Sequence, residues 1–413
     1  MNKRPRIYFD HSATTPVDRR AVEAMIPYLT EKCGNPSSIH SFGQEARAAV
    51  DRARRQVAAL ISAQPGEVIF LSGGTEANNL ALRGIAEMPA IAGAERRHLI
   101  TSAIEHSAVG GVCDFLETRG WEVTRLPVYE DGIVRADDVR AALRPETVLI
   151  SVMLANNEVG TIQPVAELGE LVRAARSAGR RHLYLHTDAV QAAGRMLIDV
   201  ETLGCDLLSL SAHKLYAPKG VGALYVRRGV RLATQNIGGH QERERRAGTE
   251  AVPNLVAFGL AAQLAREELD FRVARMGALR DRFEAVIAAR IPDVVFNGHR
   301  TKRLPHLANI SFRHIEGEGL LINLDLQGVA VSTGSACSSG SIKPSPVLRA
   351  LGRDDELARG SIRFSFGKDT TDEEVDAVLD ILQRAVENLR RLSPLAATRQ
   401  IENQIGGVSL QPN

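Results

Sequence analysis

A short apolar run that ends on polar residues and passes into a helical pattern recurs along most of this chain. Thr147 to Leu154 is the plainest case: it is almost wholly apolar, ends at Ala155-Asn156-Asn157, and precedes helical spacing from Val165 to Ala178. Side chains along a strand alternate between faces, so a strand apolar on both faces must be covered on both. Val68 to Leu71, His98 to Ala103, Trp121 to Pro127, Leu183 to Asp188 and Asp206 to Leu210 repeat the theme. Strands and helices in this alternation predict an α/β fold around a mostly parallel sheet. Ligands of such sheets bind at the carboxyl ends of the strands. Thr75, His106, Asn157, Asp188, Gln191 and Lys214 all fall at those ends. Their chemical complementarity points to one shared site.

The pattern changes after Val226. A charged loop, Gly238 to Glu250, leads into helices reaching about Arg290, and Pro292 and Asn297-Gly298 punctuate the start of a second region. Ala308 to Phe312, Val329 to Val331 and Ser361 to Phe366 read as strands, and Leu320 to Leu326 as a helix. Thr371 with Glu374 three residues later is a capping box opening a last helix. Val375, Val378, Leu379, Leu382, Val386 and Leu389 form its apolar stripe. Beyond Leu392 the periodicity is lost, so 393–413 is expected to be a loosely held tail.

Composition removes several classes of function. The 51 basic and 49 acidic residues leave a net charge of +2, which argues against direct binding of nucleic acid. Cysteines 33, 113, 205 and 337 are too dispersed for a CxxC-type zinc site, and so few thiols suit a reducing compartment. No apolar run approaches the roughly 20 residues of a membrane span, and no signal-like segment opens the chain. A cytoplasmic protein with no membrane association is expected.

Two stretches suggest chemistry. Ser72-Gly73-Gly74-Thr75 lies between an apolar run and a helix, where free N–H groups and close backbone approach favour a phosphate. Its spacing matches neither a Walker A loop nor a dinucleotide fingerprint. Lys214 stands at the mouth of a buried strand, followed by a turn through Pro218, Gly220 and Gly222. Burial favours a neutral lysine amine, the form that attacks a carbonyl. An ordinary reading is open at each place: a glycine-capped helix, and a strand-end lysine reaching solvent.

Ser-Ala-His213-Lys214 with Pro-Lys-Gly220, Asp188-Ala-Val-Gln191, Glu105-His106, Arg-Ala-Gly248-Thr249 and Gly-Ser-Ala-Cys337, in that chemistry and together, resemble the cysteine desulfurases. The resemblance runs from about Ile7 to Leu392. It implies a fold type I enzyme dependent on pyridoxal 5'-phosphate, with a mostly parallel seven-stranded sheet in the large domain and a smaller α+β C-terminal domain. The implied large domain spans 14–260. The small domain combines 1–13 with 261–392 and carries the cysteine loop, 332–341. Lys214 would hold the cofactor as a Schiff base and shuttle the Cα proton. Asp188 would pair with the pyridinium nitrogen, and Gln191 and Asn157 would bond around the ring oxygen and the substrate. His106 would stack on the ring and serve as acid and base. Gly74, Thr75, Ser211 and His213 would hold the phosphate, with Thr249 contributed from the other subunit of a homodimer. Arg363 would take the substrate carboxylate, helped by Asn35.

Cys337 has its own argument. Its neighbours are serine, glycine and alanine, too little apolar mass to pack, so it is expected to be exposed and mobile. A free thiol with pKa ~8.5 needs only a modest shift to supply thiolate. The implied reaction converts L-cysteine to L-alanine and leaves a persulfide on Cys337, for a sulfur-acceptor protein of iron–sulfur cluster assembly or thiolation. No resident metal is implied, though Cys337 could transiently ligate a partner's iron–sulfur cluster. Cys33, Cys113 and Cys205 read as structural. Selenocysteine lyase, another lyase or aminotransferase of the same fold, and a cofactor-free interaction protein are the alternatives. The chain departs from the family at His11-Ser12, where Asn-Ala is usual, in a longer segment from Arg173 to Tyr184, and in its tail.

Overall fold

The computed structural model describes residues 6–93, 97–333 and 344–392. They divide into two compact units: Ser12–Val273 with His299–Leu304, and the described parts of Met1–His11, Ala274–Gly298 and Pro305–Asn413. The division falls further along the chain than position 260. His299–Leu304 stays with the large unit because Ile162 N donates to Lys302 O (3.0 Å) and Leu304 N to Gly160 O (2.9 Å).

In chain order, β1 (Ile7–Tyr8) belongs to the small unit, and the next seven strands build the large sheet. These are β2 (Val68–Leu71), β3 (His98–Ser102), β4 (Glu122–Leu126), β5 (Thr147–Ser151), β6 (Tyr184–Asp188), β7 (Leu207–Ser211) and β8 (Gly222–Val226). Their spatial order is β2-β8-β7-β6-β5-β3-β4. The strands β4, β3, β5, β6 and β7 pair in parallel, whereas β8 runs antiparallel to both β7 and β2. Every residue of β2, β3, β7 and β8 is buried. Helices cover the sheet, which accounts for strands that read as continuous apolar runs. The Gly74–Ala86 helix packs Ala77, Leu80, Ala81 and Ile85 into one core with Leu99, Leu149, Leu207 and Leu224.

The small unit pairs β9 (Val294–Phe296), β10 (Leu307–Phe312) and β12 (Ser361–Ser365) antiparallel in the order β12-β10-β9, while β1 pairs in parallel with β11 (Val329–Ala330). Phe9, Phe283, Phe364 and Phe366 form its aromatic centre, with Phe283 and Phe364 ring centroids 4.9 Å apart. The expected capping box opens the Asp372–Leu392 helix. Glu374 N donates to Thr371 Oγ1 (3.2 Å), and Thr371 N donates to the Glu374 carboxylate (3.0 Å). His11, the unusual residue of the first segment, is buried edge-on to Tyr8, with centroids 5.0 Å apart. Gly367 makes room for it: a Cβ there would lie 2.3 Å from the imidazole.

Candidate active site

The ends of β6 and β7 and the start of the Gly74–Ala86 helix converge within the large unit. A Cβ at Gly74 would lie 2.9 Å from Val190 Cγ2 and 3.4 Å from Ser211 Cβ, so the helix start sits against both strand ends. Gly222 on β8 permits the preceding turn, because a Cβ there would be 2.7 Å from Gly73 Cα and from Leu210 O. The helix has no side-chain cap at Gly73, so its first N–H groups are available to an anion. A Cβ at Gly73 would meet nothing within 4 Å, leaving open space beside those groups.

One turn into the helix, Asn78 Nδ2 donates to Asp188 Oδ2 at 2.7 Å, and Val190 N donates to Asp188 Oδ1 at 2.9 Å. Both oxygens of Asp188 therefore have fixed directions, with lone pairs to spare for a further donor. Asn78 is 1% exposed and its own Oδ1 accepts no hydrogen bond among the described residues. The sequence reading did not single it out, although its position four residues after Gly74 puts it on the same helix face.

The Lys214 turn is strapped by the segment that follows His11. Lys214 Nζ donates to Ser12 O and to Ala13 O, the latter at 2.7 Å. Gln191 Nε2 donates to the same Ser12 O at 2.9 Å, while its buried Oε1 accepts no bond from the described protein. His213 Nδ1 pairs with Thr14 Oγ1 (3.1 Å), Thr15 N donates to His213 O (3.0 Å), and Tyr216 N donates to Thr15 Oγ1 (2.8 Å). These bonds hold Tyr216 at φ 64, a left-handed conformation that a bulky residue keeps only under such constraint. Burial, then the charges of Lys214, Lys219 and Arg195, lowers the His213 pKa to about 4, so the ring is neutral at ordinary pH.

His106 caps the Ser107–Glu117 helix after β3. Its Nδ1 accepts from Ala108 N at 3.1 Å, which places the proton of the neutral ring on Nε2. Asn157 is half-buried beyond β5. Its neighbour Asn156 holds that loop by donating Nδ2 to Ile104 O (3.0 Å) and accepting from Glu158 N and Val159 N. Thr75 is exposed in the first turn of its helix.

Other expected residues stand apart in these contacts. Asn35 is exposed, and its Oδ1 already accepts from Ser37 N at 2.9 Å. Thr249 is exposed in the charged loop, which Arg246 joins to the glycine turn through Glu76 (2.9 Å). Arg363 is buried in the small unit, where its Nη2 pairs with Asp10 Oδ1 at 2.9 Å. Cys337 and most of 332–341 lie outside the described residues, as does 393–413. Cys113 and Cys205 are buried, and burial pushes each thiol up to about 12, the behaviour of structural cysteines. Cys33 is exposed.

Residues 7–378 match the model of the aminotransferase class-V family. The chain belongs to that family. Among curated class-V relatives, it is 50% identical to a protein named cysteine desulfurase IscS from Dictyoglomus turgidum, over 94% of this chain and 96% of that one. A solved NifS-like protein superposes with a TM-score of 0.86 at 36% identity, covering 93% of this chain and all of the other. A structure titled SspA in complex with cysteine gives a TM-score of 0.76 at 35% identity, over 87% of this chain and 98% of that one. The seven-stranded sheet is thus that of the NifS-like, fold type I members.

Proposed function

We propose that the protein is a pyridoxal 5'-phosphate-dependent cysteine desulfurase that turns L-cysteine into L-alanine and leaves the sulfur as a persulfide on Cys337. One juxtaposition carries the reading: an uncapped helix start, a directed buried aspartate and a strand-end lysine, in a chain 50% identical to a cysteine desulfurase.

The residues present fit the cofactor. Gly74, Thr75, Ser211 and His213 would hold its phosphate, with neutral His213 adding no charge of its own. Asp188 keeps acceptor capacity for a ring N–H, and the unpartnered Gln191 Oε1 offers another buried acceptor. When bound, the cofactor supplies an electron sink for the substrate's Cα.

This chain's residues do the rest. Lys214 would hold the cofactor covalently, and its amine would serve as the base that takes the substrate's Cα proton. The Ser12 and Ala13 carbonyls that accept from Nζ would steady the amine as it gains charge. His106, protonated on Nε2, exchanges a proton with the substrate thiol. Arg363 offers a planar pair of donors for the substrate carboxylate, with Asn157 and Asn35 assisting. The Cys337 thiolate attacks the substrate sulfur, the C–S bond breaks, and Cα and Cβ end as those of alanine. Cysteine plus thiol thus become alanine plus persulfide, with no outside oxidant.

The protein acts in the cytoplasm as a homodimer in which Thr249 serves the other copy's phosphate. It passes sulfur to an acceptor protein of iron–sulfur cluster assembly or thiolation. None of the described helices is long and apolar enough to cross a membrane. Purified protein given L-cysteine should form alanine and a cyanide-labile persulfide, and Cys337→Ser should abolish both. Full alanine formation by Cys337→Ser would overturn the persulfide route.

A further inference from the structure

The proposed chemistry uses His106 but gives its neighbour Glu105 no task. The Glu105 carboxyl is nonetheless held on two sides. Its Oε1 accepts from Ser102 Oγ at 2.6 Å and from Met153 N at 3.0 Å. Its Oε2 is buried and has no hydrogen-bond partner among the described residues. Ser102 ends β3 and Met153 follows β5, so one carboxyl oxygen ties the turn carrying His106 to the neighbouring parallel strand. Asn156 reinforces the tie by donating to Ile104 O at 3.0 Å.

We propose that Glu105 is a positioning residue for His106, fixing the turn so that the imidazole keeps one location and one tautomer. The inference rests on His106 as the proton-transfer group of the proposed reaction. The clamp acts through the backbone of residues 104–106, and Ala108 N on Nδ1 then sets the ring. Both bonds to Glu105 need only an acceptor, so a neutral side chain of the same shape satisfies them. The surroundings agree. Burial, the largest cause, pushes the Glu105 pKa up to about 8 against the bonds from Ser102 and Met153, which lower it, and the Asp188 carboxylate adds a smaller upward push; Cys113 is another titratable group coupled to it. A neutral Glu105 places its proton on Oε2, because Oε1 is occupied by two donors.

The test compares Glu105→Gln with Glu105→Ala, using 15N-histidine-labelled, cofactor-free protein for the ring spectra and cofactor-loaded protein for the kinetics. The His106 signals are assigned by their loss in His106→Gln, and two-bond 1H–15N correlations report which ring nitrogen carries the proton. Wild type and Glu105→Gln should both show the Nε2–H pattern, with kcat for alanine formation within about threefold of each other. Glu105→Ala should show averaging between tautomers and lose roughly tenfold to a hundredfold in kcat with less change in KM, the scale of a misplaced catalytic group. Should Glu105→Ala fail to fold, Ser102→Ala removes one of the two donors and should give a smaller change of the same kind. A wild-type pattern and kcat in either alanine variant would overturn the proposal. So would a Glu105→Gln protein as impaired as Glu105→Ala, which would mean that a charge rather than an acceptor is needed. If wild type forms no alanine from L-cysteine, the functional reading falls, while the ring pattern still decides the role of Glu105.

Discussion

Glu242 should be the side chain on which the charged loop, Gly238 to Glu250, depends most. Three successive residues there, Glu242, Arg243 and Glu244, have φ of 48, 58 and 64. The left-handed region costs a side-chain-bearing residue about 1–2 kcal/mol. The run is offset by Glu242, whose carboxylate forms a two-pronged pair with Arg54 (2.7 Å at each oxygen) and accepts from Phe70 N at 3.1 Å. Both charged side chains are buried, with 7% and 4% exposure. Arg54 also donates to Val68 O at 2.8 Å and lies over the Phe70 ring, 4.6 Å from its centroid. Glu242→Ala would strand the guanidinium in a dry setting, which costs about 3–5 kcal/mol. Replacing both partners, as in Arg54→Met with Glu242→Leu, removes the stranded charge and leaves mainly Phe70 N–H unpaired, about 1–3 kcal/mol. At about 2 °C per kcal/mol for a unit of this size, the single variant should melt roughly 6–10 °C lower. The double variant should recover part of that loss. Thermal unfolding followed by circular dichroism, with urea titrations alongside, measures both. A single variant within about 1 kcal/mol of wild type, or a double variant no better than the single, would refute the reasoning.

Two further changes test other parts of the site. Gly222→Ala puts a methyl 2.7 Å from Gly73 Cα, where only backbone can yield, so it should cost about 1–3 kcal/mol and weaken pyridoxal phosphate binding in a fluorescence titration. Unchanged affinity and stability would show that the turn has slack. His186, fully buried between Ser151 and Ser209, is pushed by burial down to about 3, and His213 lies at about 4. Both have folded values below the ordinary 6.5, so their contribution to stability is present above pH 6.5 and is lost as pH falls toward 4 and then 3. Urea unfolding of the cofactor-free protein should show that decline, and His186→Asn should reduce it; a flat profile over that window would contradict the assignment.

The sequence by itself determined the class of fold, because strands covered on both faces leave an unmistakable apolar signature. Val68 to Leu71 and Ser361 to Phe366 were legible within a residue of their observed ends for that reason. It also placed Asp188 and Ser211 at strand ends, Lys214 just beyond one and Gly74 at a helix start, positions that the structure shows. The edge strand Val294–Phe296 escaped notice: it is short, only partly buried, and carries no alternation. Tertiary structure alone decided what each site residue touches. Asn78 and Asp188 are 110 positions apart, and Glu242 reaches Arg54 across 188, so no local pattern could announce either pair. Gly222 reads as an ordinary turn glycine until Gly73 is packed against it. Periodicity records the side that a residue buries, while the partner of a buried polar group is chosen by which distant segments the closed sheet brings side by side.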